Sequence, residues 1–264
     1  MKYTLKHKLK RILIKTKLLP LVNPIYERIY ELFTSFSPKY RDHQRKMLNF
    51  YSQFIKKGDL CFDVGAYKGN RTGVFLELGA RVVAIEPQER CIRYLQSKFG
   101  KNLQFSLVKK GLSDKEGELF LSICEETDSI STFSEKWKTG RFSDYKWNKK
   151  KKVPVTTLDN LIKEFGEPSF CKIDVEGFEY QVLRGLSQPI KYISFEFTKE
   201  FFEDTKSCVN YLLSLGPAQF NCDLYESMEF ISQNWSSAEE LFRKLESIEE
   251  DLLGGDIYVK FLNK

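Results

Sequence analysis

From residue 59 onward, short apolar runs alternate with stretches whose apolar residues recur every three to four positions. Leu60-Cys61-Phe62-Asp63-Val64 and Arg81-Val82-Val83-Ala84-Ile85 have the length and continuity of strands buried on both faces. The segments after them, to residue 78 and over 88–99, carry helical spacing. The same alternation predicts strands at 103–108, 170–175, 190–197, 220–225 and 257–262, and helices over 178–186, 198–215 and 237–248. Residues 118–123 alternate like an extra strand, 124–152 read as a polar, basic loop, and 155–158 lead into a short helix. Repeated strand–helix units imply an α/β fold, a doubly wound and mostly parallel sheet covered on both faces. Such sheets bind ligands beyond the C-terminal ends of their strands.

Upstream, Leu5, Leu9, Ile12 and Leu13 keep helical spacing, Asn23-Pro24 reads as a helix start, and a third helix runs through Met47, Leu48, Tyr51 and Ile55 to Gly58. The expected organisation is a basic helical extension over 1–45 and one domain over 46–264. Charge sharpens that division. The 264 residues carry +6 overall, but residues 1–50 hold 12 Lys/Arg against 3 Asp/Glu, whereas the remainder holds 30 against 33. Residues 2–17 contain seven bases and no acid. A basic amphipathic segment of this kind fits peripheral contact with an anionic membrane surface; the plainer alternative is a helix packed on the domain with a solvated basic face. It is too interrupted by charge for a secretory signal, and no run reaches the roughly 20 apolar residues of a membrane span.

Composition narrows the chemistry. Twenty-two Phe and 13 Tyr argue for a packed core rather than disorder. Six cysteines without a C-x-x-C pair read as reduced thiols, so a cytoplasmic protein is expected, with peripheral contact at the inner membrane face through residues 2–17. The two histidines, His7 and His43, precede the domain. Ser-His-Asp and Cys-His catalysis and His-rich metal sites are therefore unavailable there, and a base must be Asp, Glu, Lys or Tyr. A nucleic-acid partner is not expected, because the basic charge sits on the extension. Lys149-Lys150-Lys151-Lys152 keeps RNA as an alternative partner.

The segment Phe62-Asp63-Val64-Gly65-Ala66-Tyr67-Lys68-Gly69-Asn70-Arg71-Thr72 is a Gly-containing loop between strand and helix. Its D-x-G-x-x-x-G spacing matches neither the P-loop nor the G-x-G-x-x-G dinucleotide fingerprint. A carboxylate at Asp63 repels pyrophosphate and favours a cationic ligand without phosphate. S-adenosylmethionine, with a sulfonium and an ammonium, suits that charge. Glu86, at the next strand end and about 20 residues on, is placed to accept hydrogen bonds from ribose hydroxyls.

With these residues the sequence resembles the FkbM-family methyltransferases, class I S-adenosylmethionine-dependent enzymes acting mostly on hydroxyl oxygens. The resemblance runs through Phe62–Ala66 with Gly69 and Thr72, Glu86-Pro87, Gly111-Leu112-Ser113-Asp114 with Gly117, Thr157-Leu158-Asp159, and Lys172-Ile173-Asp174-Val175-Glu176-Gly177-Phe178-Glu179 with Val182-Leu183 and Gly185. Glu196 fits the acid that often ends the next strand. Tyr67 departs from the family, which usually has Asn there. The resemblance implies a class I, Rossmann-like methyltransferase fold. It implies that Asp63, Gly65 and Gly69 frame the methionine part of the cofactor, that Glu86 holds the ribose, and that Ser113 or Asp114 lies beside the adenine edge. It also implies a hydroxyl acceptor, a sugar of a glycan, glycolipid or secondary metabolite. An RNA methyltransferase, motivated by Lys149–Lys152, is the rival enzyme, and a non-catalytic glycan- or membrane-binding protein on the same scaffold is the rival from another class.

Asp174, Glu176 and Glu196 supply the candidate chemistry. With no histidine in the domain, Asp174 is the first candidate for the base that takes the acceptor's proton, and Glu196 the second. Glu176 and Glu179 are expected at the start of the following helix, where the macrodipole favours acids. No metal ligand is required by this account. The alternative is that Asp174, Glu176 and Glu196 offer an all-oxygen set for Mg²⁺ or Ca²⁺. Trp137, Tyr145 and Trp147, in the 124–152 insertion, are candidates for a lid or a sugar-stacking surface, and equally for packing.

Overall fold

A computed structural model describes residues 37–124, 127–139 and 142–263. The expected helices over 2–17 and from Asn23 lie outside the described residues. The chain divides into two compact units, Met1–Met47 and Leu48–Lys264. Of the first, what is described is the start of helix α1 (Pro38–Tyr51), which carries an exposed Arg45–Asp42 ion pair.

The second unit is built on strands β1 (Leu60–Val64), β2 (Arg81–Ile85) and β3 (Phe105–Val108), joined by helices α2 (Asn70–Glu77) and α3 (Glu89–Phe99). After an insertion holding β4 (Gly111–Leu112), β5 (Gly117–Ile123) and β6 (Lys149–Thr156), it continues through α4 (Leu158–Phe165), β7 (Phe170–Ile173), α5 (Glu179–Leu183), β8 (Tyr192–Thr198), α6 (Phe202–Leu215), β9 (Ala218–Leu224), α7 (Ala238–Glu246) and β10 (Gly254–Phe261). The main sheet has the order β3-β2-β1-β7-β8-β10-β9. Neighbours are parallel from β3 to β8, and β10 runs antiparallel to both β8 and β9. The order reverses between β1 and β7, so the loops after these two strands open a crevice. This is the Rossmann-like sheet of class I methyltransferases.

Local sequence explains the elements. Every residue of β1 and β7 is buried, as a strand covered on both faces demands. Thr157 and Ser237 accept from the backbone N–H three residues on, capping α4 and α7. Phe62, Val64, Val83, Cys171, Ile173, Ile193 and Phe195 pack with Val182, Leu183, Val209, Leu212, Leu241 and Leu245 into one apolar core. Near β10 an aromatic cluster forms, with the Phe54 and Tyr258 rings stacked at 5.5 Å and Tyr51 edge-on to Phe75 and Phe170. All six cysteines are buried and none forms a disulfide.

Three boundaries differ from the sequence reading. Lys149–Lys152 are not loop but the first half of β6, paired antiparallel with Ile123 to Phe120 of β5. All four lysines are exposed there. Since β4 pairs only with Val155 and Thr156, this half of β6 has β5 as its one strand partner, and none of its own residues is buried to impose an alternating pattern. β7 ends at Ile173, so Asp174 to Phe178 form a turn. Glu176 lies in that turn with φ +57°, and only Glu179 begins a helix. Thr198 ends β8, and a 3₁₀ turn over Lys199–Phe201 precedes α6.

Candidate active site

The crevice holds a cavity of about 240 Å³. Its floor comes from the loop after β1 (Asp63 to Lys68), and one wall from the end of β2 (Ile85 to Gln88). Lys172, Asp174, Val175 and Glu176 from the β7 end form another wall, with Gly111, Leu112, Leu121 and Phe133 of the insertion closing over them. Gly65 must be glycine on two counts. Its φ is +79°, and a Cβ would lie 1.7 Å from the backbone oxygen of Asp174. The β1 and β7 loops can touch only because that atom is missing.

Asp63 is 2% exposed and accepts from Thr72 Oγ1 on α2 at 2.5 Å. Burial pushes its carboxyl above the usual range, against the pull of that hydrogen bond. Glu86 is also buried; its Oε2 accepts from Tyr67 N at 2.9 Å and its Oε1 from Gln88 N at 2.7 Å. These two bonds tie the Gly loop to the end of β2, and the carboxylate faces the cavity. Tyr67 has φ +49°, in the left-handed region that glycine and asparagine tolerate best. At the rim Arg71 Nη2 pairs with Glu226 Oε1 at 2.8 Å.

Four candidates stand outside the lining of this cavity. Gly69 does not line the cavity; its missing Cβ makes room for the Leu95 and Phe99 side chains of α3. Ser113 and Asp114 also lie outside the lining, with Ser113 Oγ donating to Asp114 Oδ1 at 3.2 Å. Gly111 and Leu112 are the residues of that segment that reach the cavity. Glu196 lines a second cavity of about 260 Å³, formed with Phe133 and Trp137 of the insertion, Gly177 to Gln181, Phe197, Thr198, Phe201 and the start of α6.

The two cavities meet at the acids. One oxygen each from Asp174, Glu176 and Glu196 lies within 4.8 Å of the others. Lys172 is 1% exposed, and its Nζ donates to Asp174 Oδ2 at 3.2 Å and Asp256 Oδ1 at 2.8 Å. Burial and then the neighbouring acids hold the Glu176 and Glu196 carboxyls well above the usual carboxylate range. The turn carrying two of the acids is clamped. Glu179 Oε1 accepts from Val175 N and Gly177 N, both at 3.2 Å, and Thr132 Oγ1 donates to the Glu176 carbonyl at 2.6 Å. Gly177, at φ +84°, would drive a Cβ to 2.6 Å from the Trp137 ring.

Trp137 is thus neither lid nor open stacking surface. It is 3% exposed, wedged between Gly177, Phe142 and Phe201. Tyr145 is exposed and Trp147 Nε1 donates to the Phe142 carbonyl. Sequence reasoning missed the part played by Phe133 and Trp137 in joining the cavities, because their pairing with the β7 turn is a long-range contact without a periodic signal.

Cavity and residues fit S-adenosylmethionine. The floor lacks a phosphate-binding fingerprint, Gly65 lets backbone close in, and the acids balance a sulfonium and an ammonium. Comparison with known proteins agrees. The chain matches the methyltransferase FkbM domain over residues 63–246. No curated protein matches it. Among solved structures it is similar to a TehB-like SAM-dependent methyltransferase of Corynebacterium glutamicum (10% identity over 91% of this chain and 98% of that one, TM-score 0.44). It is also similar to an rRNA methylase of Streptococcus thermophilus (12%, 86% and 97%, 0.42) and to Aeropyrum pernix fibrillarin with natively bound S-adenosyl-L-methionine (10%, 78% and 68%, 0.41). Likeness at this level says nothing of substrate. The domain match, the sheet order and the Asp63-to-Glu86 loop together make this chain a member of the FkbM family of S-adenosylmethionine-dependent methyltransferases.

Proposed function

We propose that the enzyme transfers the methyl group of S-adenosylmethionine to a hydroxyl oxygen, of a sugar in a glycan, glycolipid or secondary metabolite. One observation carries this reading: the cofactor cavity and the second cavity meet at a carboxylate cluster. Beside that cluster Glu196 Oε2 is buried without a hydrogen-bond partner among the described residues, while the Trp137 indole interacts with Glu176. A hydroxyl donates, so one on an acceptor molecule answers that oxygen and is already bonded to a group able to receive its proton. Bound S-adenosylmethionine supplies an activated methyl and a neutral thioether leaving group. The chain's own task is to align an acceptor oxygen with that methyl and to receive its proton.

Asp63, Gly65 and Glu86 are the proposed cofactor contacts, and Gly69 a support for their loop. Asp174 is the proposed base, because it lines the cofactor cavity and belongs to the acidic cluster at the junction; Glu196 is the second candidate. Lys150, Lys151 and Lys152 pair with Glu135, Glu89 and Glu118, which leaves little free charge on β6 and supports a small acceptor over RNA.

Asp174→Asn keeps the shape of the site and removes its proton acceptor. Turnover is expected to fall by about 10²-fold or more with cofactor affinity nearly unchanged. Near-normal turnover would move the role to Glu196. Calorimetry supplies an acceptor-free check: S-adenosylmethionine should bind in preference to NAD, and Glu86→Ala should weaken it.

A further inference from the structure

The three acids at the cavity junction are held together although they repel. Asp174 shares the Lys172 ammonium with Asp256, and Glu176 and Glu196 have no cationic side chain in ion-pair range among the described residues. Nothing lets the cluster relax. Glu176 is fixed in a left-handed backbone conformation, its carbonyl is tied to Thr132, and both flanking amides are tied to Glu179. Ligand sets for a metal are pinned in this way by surrounding hydrogen bonds.

A second, independent observation comes from β8. Glu196 Oε2 is buried with no hydrogen-bond partner among the described residues. So is the hydroxyl of Thr198, which stands two positions further along the same strand, is 6% exposed and lines the same cavity. The unpartnered carboxylate oxygen calls for a ligand that supplies positive charge or a hydrogen-bond donor, and the hydroxyl, which can donate as well as accept, is compatible with one. Both are oxygens, and so are all the atoms of the acidic cluster. Such donors select hard divalent cations over zinc or copper.

We infer that Asp174, Glu176 and Glu196 bind one divalent cation of the Mg²⁺, Mn²⁺ or Ca²⁺ class at the junction of the cofactor cavity and the second cavity. Its use rests on the hydroxyl-methylation reading above. The cation binds the acceptor oxygen and makes its proton easier to lose. The O–H bond breaks as the O–CH₃ bond forms, the C–S pair returns to sulfur, and the proton passes to a cluster oxygen not engaged by the ion.

The test needs no acceptor. Mn²⁺ is titrated into the full-length protein, and binding is followed by calorimetry and by loss of the free-ion magnetic resonance signal. One site is expected, with affinity at least tenfold weaker in Glu196→Gln and in Glu176→Gln. Thermal melts confirm that both variants are folded; each removes a charge from a repelling cluster and should melt no lower than the wild type. Tb³⁺ supplies a local readout, since its emission is sensitised by a nearby indole. Trp137→Phe should lose most of the sensitised emission while still binding Mn²⁺. No Mn²⁺ binding at millimolar concentration, or equal affinity in the wild type and both Gln variants, overturns the proposal. S-adenosylhomocysteine binding on the same samples separates the two claims. If it binds and Mn²⁺ does not, the cation falls and the methyltransferase reading stands. If it fails to bind, that reading falls whatever the ion does.

Discussion

At the scale of single residues, two backbone positions decide whether the cofactor cavity exists. Gly65→Ala adds a Cβ into the Asp174 carbonyl and also pays for the left-handed region, about 1–2 kcal/mol by itself. The variant should lose S-adenosylmethionine binding by calorimetry and melt well below the wild type. Tyr67 is the opposite case. It holds φ +49° with an aromatic side chain where its family usually has Asn. Tyr67→Asn should therefore stabilise the protein by up to about 1 kcal/mol, read as a raised urea midpoint with unchanged slope. Asp63, Gly65, Glu86 and Asp174 were legible in the sequence because each stands at or just past the end of a strand whose apolar run is easy to see. That Gly69, Ser113 and Asp114 stand beside the cavity lining rather than in it was not legible there. A glycine that clears a neighbouring helix and one that faces a ligand have the same letter, and a turn beside a cavity reads like a turn within it.

At the scale of elements, the turn after β9 shows how a buried acid builds a rim. Tyr225, Glu226 and Met228 all have positive φ, at 55°, 54° and 61°. Asp223 braces them, accepting from Ser227 Oγ and from Met228 N, and so presents Glu226 to Arg71 at the cavity mouth. Asp223→Ala strands both donors and should destabilise by about 1.5–3 kcal/mol in urea unfolding. The same residue sets a pH dependence. Burial holds its carboxyl above the usual range, so the folded state binds the proton more tightly than the unfolded chain. Wild-type stability should therefore fall as pH rises from about 4 towards the raised native value, and Asp223→Asn should make that slope shallower. The long, periodic elements were plain in the sequence, from β1 to α3 and again from β8 to β10. The insertion was not. β6 is half lysine, β4 is two residues long, and their pairing depends on partners that no local pattern names.

At the scale of the whole molecule, the basic charge and the chemistry belong to different parts of the chain. The bases concentrate in residues 1–50, and the matched methyltransferase domain begins at residue 63. We propose that residues 2–17 attach the enzyme peripherally to an anionic membrane face. Among the described residues no helix is long and apolar enough to cross a membrane. A chain lacking residues 1–20 should keep a single cooperative melt and cease to pellet with vesicles containing anionic lipid, a difference that high salt should abolish in the full chain. The cysteines carry a consequence of another kind. They stand on β1, α3, the insertion, β7, α6 and β9, all shut away from solvent, and burial raises the thiols of Cys61, Cys171 and Cys222 well above their ordinary range. A thiol reagent can reach each one only when its own element opens. Timed labelling read by peptide mass would thus rank the opening of six regions in one unmodified protein, and show which of them close when cofactor binds.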